Sequence, residues 1–232
     1  MRGFFWDLWL IDSASRGILS LAPDLQFDTP FQGAQMLVNL VDQQFSAHKK
    51  QIVLIGHSLG GILVALAARS IPREQLRALV IIGSPFGSPG RSSLDILIRS
   101  LIRIHLIPGF LIRNTFFGPK VSKESQQLLF DKAVPESQQL LNIVSDSSWL
   151  KDELFPEPIP LPVLGITSPW DKIVPPASSR HLIDALGGTF VELGEEIKMG
   201  HNDLAVLPDT VTHLSTLIDE WLGSQVPTFP SE

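Results

Sequence analysis

The chain contains no cysteine, which excludes disulfides and any thiol nucleophile. It has no run of about 18 uncharged apolar residues, so no membrane-spanning helix is predicted. Charged residues make up 18%, and the net charge of −6 is spread without a long block of either sign. That argues against a nucleic-acid partner. The six histidines are scattered, with neither an HExxH pattern nor another paired-ligand spacing, so no metal is expected. No Gly-x-Gly-x-x-Gly follows a strand, so no nucleotide cofactor is implied, and none of any kind is expected. The opening MRGFFWDLWLID is apolar but carries Asp7 and Asp12 and lacks a small-residue cleavage site. It does not read as a signal peptide, and a cytoplasmic location is expected. No internal repeat is visible.

What is present suits one sizeable globular domain: 232 residues, 44% hydrophobic, mean hydropathy +0.20. Its organising stretch is Gln51–Gly61, QIVLIGHSLGG. Ile52–Ile55 is a continuous apolar run rich in β-branched residues, which predicts a strand of a parallel sheet buried on both faces. Gly56-His57-Ser58-Leu59-Gly60 follows, then Gly61 and an apolar helical run, Ile62–Ala68. A strand, a Gly-x-Ser-x-Gly turn and a helix together place a serine on a sharp, strained turn. Gly56 and Gly60, lacking Cβ, allow strand and helix to approach closely. The N–H of Leu59, at the helix start, suits a developing oxyanion.

A serine hydroxyl needs a base, and the base needs an orienting acid. Leu161–Thr167 predicts a second buried strand, and it runs into Ser168-Pro169-Trp170-Asp171. Asp171 thus lies in a turn after a strand, where open α/β sheets place functional groups. Met199-Gly200-His201-Asn202-Asp203 puts His201 in a short polar loop after the strand-like Thr189–Leu193. The order Ser58, Asp171, His201 is that of a nucleophile, acid and base. Asp95 and Asp203 are rival acids. Trp170 is either a wall of an acyl pocket or a core aromatic. His48 and His213 read as surface residues.

With these motifs, the chain resembles the α/β-hydrolase superfamily of the esterase and lipase type. The resemblance rests on Ala22-Pro23-Asp24-Leu25, the Gly-His-Ser-Leu-Gly-Gly elbow, Trp-Asp-x-Ile-Val-Pro and Gly-His-Asn-Asp. It implies a mostly parallel sheet flanked by helices, with residues 1–85 and 161–225 as core. It also implies a helical cap over 86–160, and residues 226–232 read as a flexible tail. It implies that His57 supports the nucleophile beside the substrate pocket, and that Gly83-Ser84-Pro85 matches a lipase-type turn. Asp24 is structural in this reading.

Along the rest of the chain, Trp6, Trp9 and Leu10 lie at helical spacing and Gly17 can end that helix. Ile18–Ala22 predicts a short strand, and Met36, Leu37, Leu40, Val41 and Phe45 form a helical stripe. Ser92–Leu106 predicts a basic apolar helix with Arg99 and Arg103, and helices are expected over Ser122–Lys132 and Glu136–Leu150. Leu94–Ile112 reads as a buried cap helix, as a lid lining an acyl site through Leu106 and Phe110, or as a weak interfacial contact with lipid. Ala177–Leu186 and 208–222 predict the last helices.

One departure concerns the N-terminus. The family carries a strand and a His-Gly-type loop before the Trp helix, and only five residues precede Trp6 here. Arg2-Gly3-Phe4 would be the remnant, with the Phe4 N–H as second oxyanion donor; the alternative makes Phe4–Ile11 itself the strand. N-terminal strands are therefore expected to be missing, leaving a chain that is poorly soluble, weakly active or dependent on a partner. The expected activity is serine-dependent hydrolysis of a small-molecule ester or thioester with an apolar acyl group. An acyltransferase with the same nucleophile and a non-catalytic binding protein of the same fold remain alternatives.

Overall fold

The computed structural model describes residues 3–86, 115–132, 139–140, 143 and 154–225. Four parallel strands form its sheet: β1 (Ile52–His57), β2 (Leu76–Ile82), β3 (Val163–Thr167) and β4 (Thr189–Glu192), in the order β1-β2-β3-β4. Among the described residues six α-helices accompany them: α1 (Asp7–Ser15), α2 (Pro30–His48), α3 (Leu59–Ala68), α4 (Lys123–Lys132), α5 (Pro176–Leu186) and α6 (Pro208–Ser224).

The strands alternate between two cores, as the two-residue period of a strand requires. Ile52, Leu54, Leu79 and Ile81 face one core, built with α2, α3 and α5. Val53, Ile55, Val80, Ile82, Leu164 and Ile166 face the other, built with Trp9 of α1 and Val211, Leu214 and Ile218 of α6. Helices therefore cover both faces, the usual arrangement for a parallel sheet.

Local chemistry sets the helix ends. The Thr29 hydroxyl accepts from the Gln32 N–H at 3.2 Å, and the Gln32 side chain accepts in return from the Thr29 N–H, with Pro30 opening α2. Gly187, at φ +72°, closes α5.

Several expectations change. Ile18–Ala22 forms no strand: among the described residues it pairs with no strand, and Leu19 and Leu21 are exposed. A short run without a neighbour to accept its ladder bonds has no reason to hold as a strand. Ile52–Ile55 is half-buried and not fully buried. The cause is the sheet order: β1 is outermost among the described strands, so one of its edges has no strand beside it. Residues 3–15 are a 3-10 turn (Gly3–Trp6) running into α1, so the alternative strand at Phe4–Ile11 does not form. In α2 the buried line is Ala34, Leu37 and Val41, while Met36 faces out. The segment Ser92–Leu106, and with it Asp95, Arg99, Arg103, Leu106 and Phe110, lies outside the described residues. So does most of Glu136–Leu150. No helix among the described residues is long and apolar enough to cross a membrane.

Candidate active site

The four strands end on one side of the molecule, and the loops leaving them carry the candidate residues. Ser58 follows β1, Gly83 follows β2, Asp171 lies beyond β3 and His201 beyond β4. The ladder stays ordered to its last rung. Ser58 N–H donates to the Ile82 carbonyl at 3.0 Å, and Gly83 N–H donates to that of Ile166 at 2.9 Å.

Ser58 has φ 53° and ψ −126°. A non-glycine residue there is strained, and the surrounding structure must enforce it. Enforcement comes from close packing. A Cβ on Gly56 would meet the Gly60 carbonyl and lie 2.7 Å from the Gly61 Cα, so only glycine lets α3 start this close to β1. The Ser58 carbonyl accepts from the Gly61 N–H at 3.0 Å and from the Ser84 hydroxyl at 2.7 Å. Ser84 is buried, and its own carbonyl accepts from the Ser179 hydroxyl of α5 at 3.1 Å. Leu59 is the first residue of α3, so its N–H has no partner within the helix.

Asp171 and His201 meet, both buried, with Oδ2 and Nδ1 2.7 Å apart. The other oxygen, Oδ1, accepts from the Ile173 and Val174 N–H groups, each at 2.9 Å. An ionised carboxylate only accepts, so a neutral imidazole in this pair carries its proton on Nδ1 and has Nε2 as its acceptor atom. Gly83 sits beside the pair: a Cβ there would lie 2.9 Å from Asp171 Oδ2 and 3.7 Å from His201 Nδ1.

His57 is buried against this pair. Its ring lies 4.5 Å from that of His201 and stacks on Phe5 at 5.0 Å. Burial pushes its pKa well below the ordinary value, and the nearby His201 adds to this; a hydrogen bond to the His201 backbone opposes it. His57 is thus held neutral, and its Nε2 has no partner among the described residues. Phe4 lies in the 3-10 turn that carries Phe5 to His57. Trp170 is half-buried in the acid loop, with the Lys198 ammonium 5.4 Å from its ring centroid.

Asp203 does not face His201 as an acid partner. Its carboxylate accepts from the Gly118 and Gly200 N–H groups, at 3.0 and 2.8 Å. Ser84, Phe5, Gly83 and Phe116, whose ring stands edge-on to His201 at 5.9 Å, all belong to the site's surroundings. None carries a reactive group in a recognisable motif, apart from Ser84 in the Gly83-Ser84-Pro85 turn. Among the described residues no cluster of three metal-ligating side chains occurs.

Comparison with known proteins agrees with this architecture. A curated relative, protein phosphatase methylesterase 1 of Candida albicans, is 29% identical over 119 residues. The match takes in 50% of this chain and 29% of the relative, so the chain spans well under half of that protein's length. Among solved structures, an esterase from Exiguobacterium antarcticum superposes with a TM-score of 0.70 at 14% identity, over 96% of this chain and 88% of that one. A thermophilic esterase from Thermogutta terrifontis gives 0.66 at 19% identity, over 97% and 86%. An extracellular alpha/beta-hydrolase from a Paenibacillus species gives 0.66 at 18%, over 93% of each chain. At such identities the likeness is one of fold. The sequence profile of the alpha/beta hydrolase family matches residues 2–211, and with the doubly covered parallel sheet the chain belongs to that family.

Proposed function

We propose that the chain is a serine hydrolase that cleaves small carboxylic esters with apolar acyl groups, thioesters being the related class. The observation that carries this reading is the buried Asp171–His201 pair, at the same C-terminal end of the parallel strands as the strained Ser58 turn. The name of the methylesterase relative favours an ester of a small alcohol over a long-chain fat.

In this reading Ser58 Oγ attacks the ester carbonyl carbon and its proton passes to His201 Nε2. The carbonyl oxygen becomes an oxyanion held by the Leu59 N–H and, as second donor, the Phe4 N–H. Asp171 holds the ring in the required tautomer and stabilises its charged form. The C–O bond to the alcohol breaks, and the alcohol leaves with the proton from Nε2. Water then gives a proton to Nε2 and attacks the acyl carbon. The acid departs and Ser58 regains its proton. His57 backs the imidazole, and Trp170, Leu106 and Phe110 are proposed for the acyl side of the pocket.

Turnover of p-nitrophenyl esters of increasing chain length tests this reading. Wild type should prefer short acyl chains, and Ser58→Ala should be inactive yet folded. Equal slow turnover by both proteins would overturn it.

A further inference from the structure

A fully buried carboxylate with no part in the proposed chemistry sits two residues beyond His201. Asp203 has no solvent exposure. A buried carboxylate is costly unless its oxygens are satisfied. Here each oxygen takes one backbone N–H, and the two come from different parts of the chain. Gly200 immediately precedes His201. Gly118 belongs to the insertion between β2 and β3.

The segment 116–118 lies against the His201 loop without room to spare. A Cβ on Gly118 would lie 2.9 Å from the Gly200 nitrogen, and one on Gly200 would lie 2.9 Å from the Phe117 Cα. The Asn202 N–H donates to the Phe116 carbonyl at 2.8 Å. Phe116 meets the His201 ring edge-on, and Phe117 anchors a small apolar cluster with Val121, Leu129 and Phe5. His201 is therefore bounded by Asp171, by His57 and by a residue of the insertion.

We propose that Asp203 is a positioning residue. Its carboxylate ties the insertion segment Phe116–Gly118 to the loop that carries His201, so that the seating of this segment fixes where the imidazole stands. Burial raises the Asp203 pKa and the two N–H bonds oppose that rise, in keeping with a carboxylate retained for its geometry. The inference rests on the reading of His201 as the base. It makes the insertion part of the catalytic scaffold and not only a cover for substrate.

Asp203→Asn tests it. An amide offers one acceptor, so one of the two N–H groups faces an NH2 and the tie opens. We expect kcat on p-nitrophenyl acetate to fall about 100-fold, as a misplacement of about 1 Å produces, with KM within twofold. The downfield proton resonance of the Asp171–His201 hydrogen bond should weaken or vanish, while unfolding stays cooperative. Phe116→Ala, which leaves the Asp203 bonds in place, should lower kcat about tenfold and shift the same resonance. A folded Asp203→Asn protein with kcat within threefold of wild type overturns the proposal. So does an unchanged resonance despite lost activity, or a wild type that shows no such resonance. If Asp203→Asn does not fold, wild-type kcat in Phe116→Ala overturns it equally. The resonance needs no turnover. Wild type lacking esterase activity but showing a signal that Asp203→Asn removes would refute the hydrolase reading and leave the positioning role standing.

Discussion

Asp171→Asn changes one atom in a buried pattern of hydrogen bonds among the described residues. Oδ1 accepts from the Ile173 and Val174 N–H groups, and Oδ2 pairs with His201 Nδ1. Asparagine offers one oxygen and one NH2 in their place. Suppose the oxygen keeps its two backbone donors. The NH2 then faces His201, Nδ1 must accept, and the ring proton moves to Nε2, the atom needed to take the Ser58 proton. Suppose instead that the amide flips. Two buried N–H groups then lose their acceptor, at about 1–3 kcal/mol each, or about 2–6 kcal/mol together. The first orientation is therefore favoured, and it fixes the wrong tautomer. The expected loss in kcat is roughly 10⁴-fold, about 5.4 kcal/mol of transition-state stabilisation at about 1.36 kcal/mol per factor of ten. Because the loop keeps its backbone bonds, the urea midpoint should move little. The assay is p-nitrophenyl acetate hydrolysis beside urea unfolding. A variant as stable as wild type with kcat within tenfold of it would refute the tautomer argument.

The Gly56–Ser58 turn and the buried His57 give further expectations. Gly56→Ala drives a methyl group into the Gly60 backbone, so it should cost about 3 kcal/mol or more of stability in urea unfolding, because backbone cannot move aside as a side chain can; a loss under about 0.5 kcal/mol would show that strand and helix are not in contact there. His57 has a folded-state pKa below its unfolded one, so the unfolded chain binds more protons between the two values. Stability should therefore fall as pH drops below about 6.5, by up to about 1.4 kcal/mol per pH unit, and His57→Phe should remove that slope. Asp203, whose pKa is raised, acts in the opposite sense at lower pH, so wild type and variant are compared at each pH; parallel curves from pH 5 to 7 would count against a neutral His57.

The sequence was most legible where several constraints coincide. Gly56, Ser58 and the all-apolar Ile62–Ala68 predict a strand, a tight turn and a buried helix, and the structure has that succession with a positive φ at Ser58. Chain order and the strands before them single out Asp171 and His201 as candidates, and the fold brings the two to hydrogen-bonding distance. Ile18–Ala22 misled because apolar composition does not reveal whether a neighbouring strand exists. β1 is less buried than its residues predict for a related reason, since strand position within a sheet is a property of topology and not of the strand's own residues. The sequence marks Asp203 only as a rival acid. Its two donors, Gly118 and Gly200, are 82 positions apart, and no local pattern marks such a contact.

The most direct measurement is covalent labelling by a fluorophosphonate, read by intact mass and peptide mapping. An activated Ser58 Oγ displaces fluoride and forms one phosphonyl ester. The account predicts a single adduct on Ser58, absent in Ser58→Ala and strongly slowed in His201→Ala. No adduct on wild type, or an adduct that persists in Ser58→Ala, would contradict it.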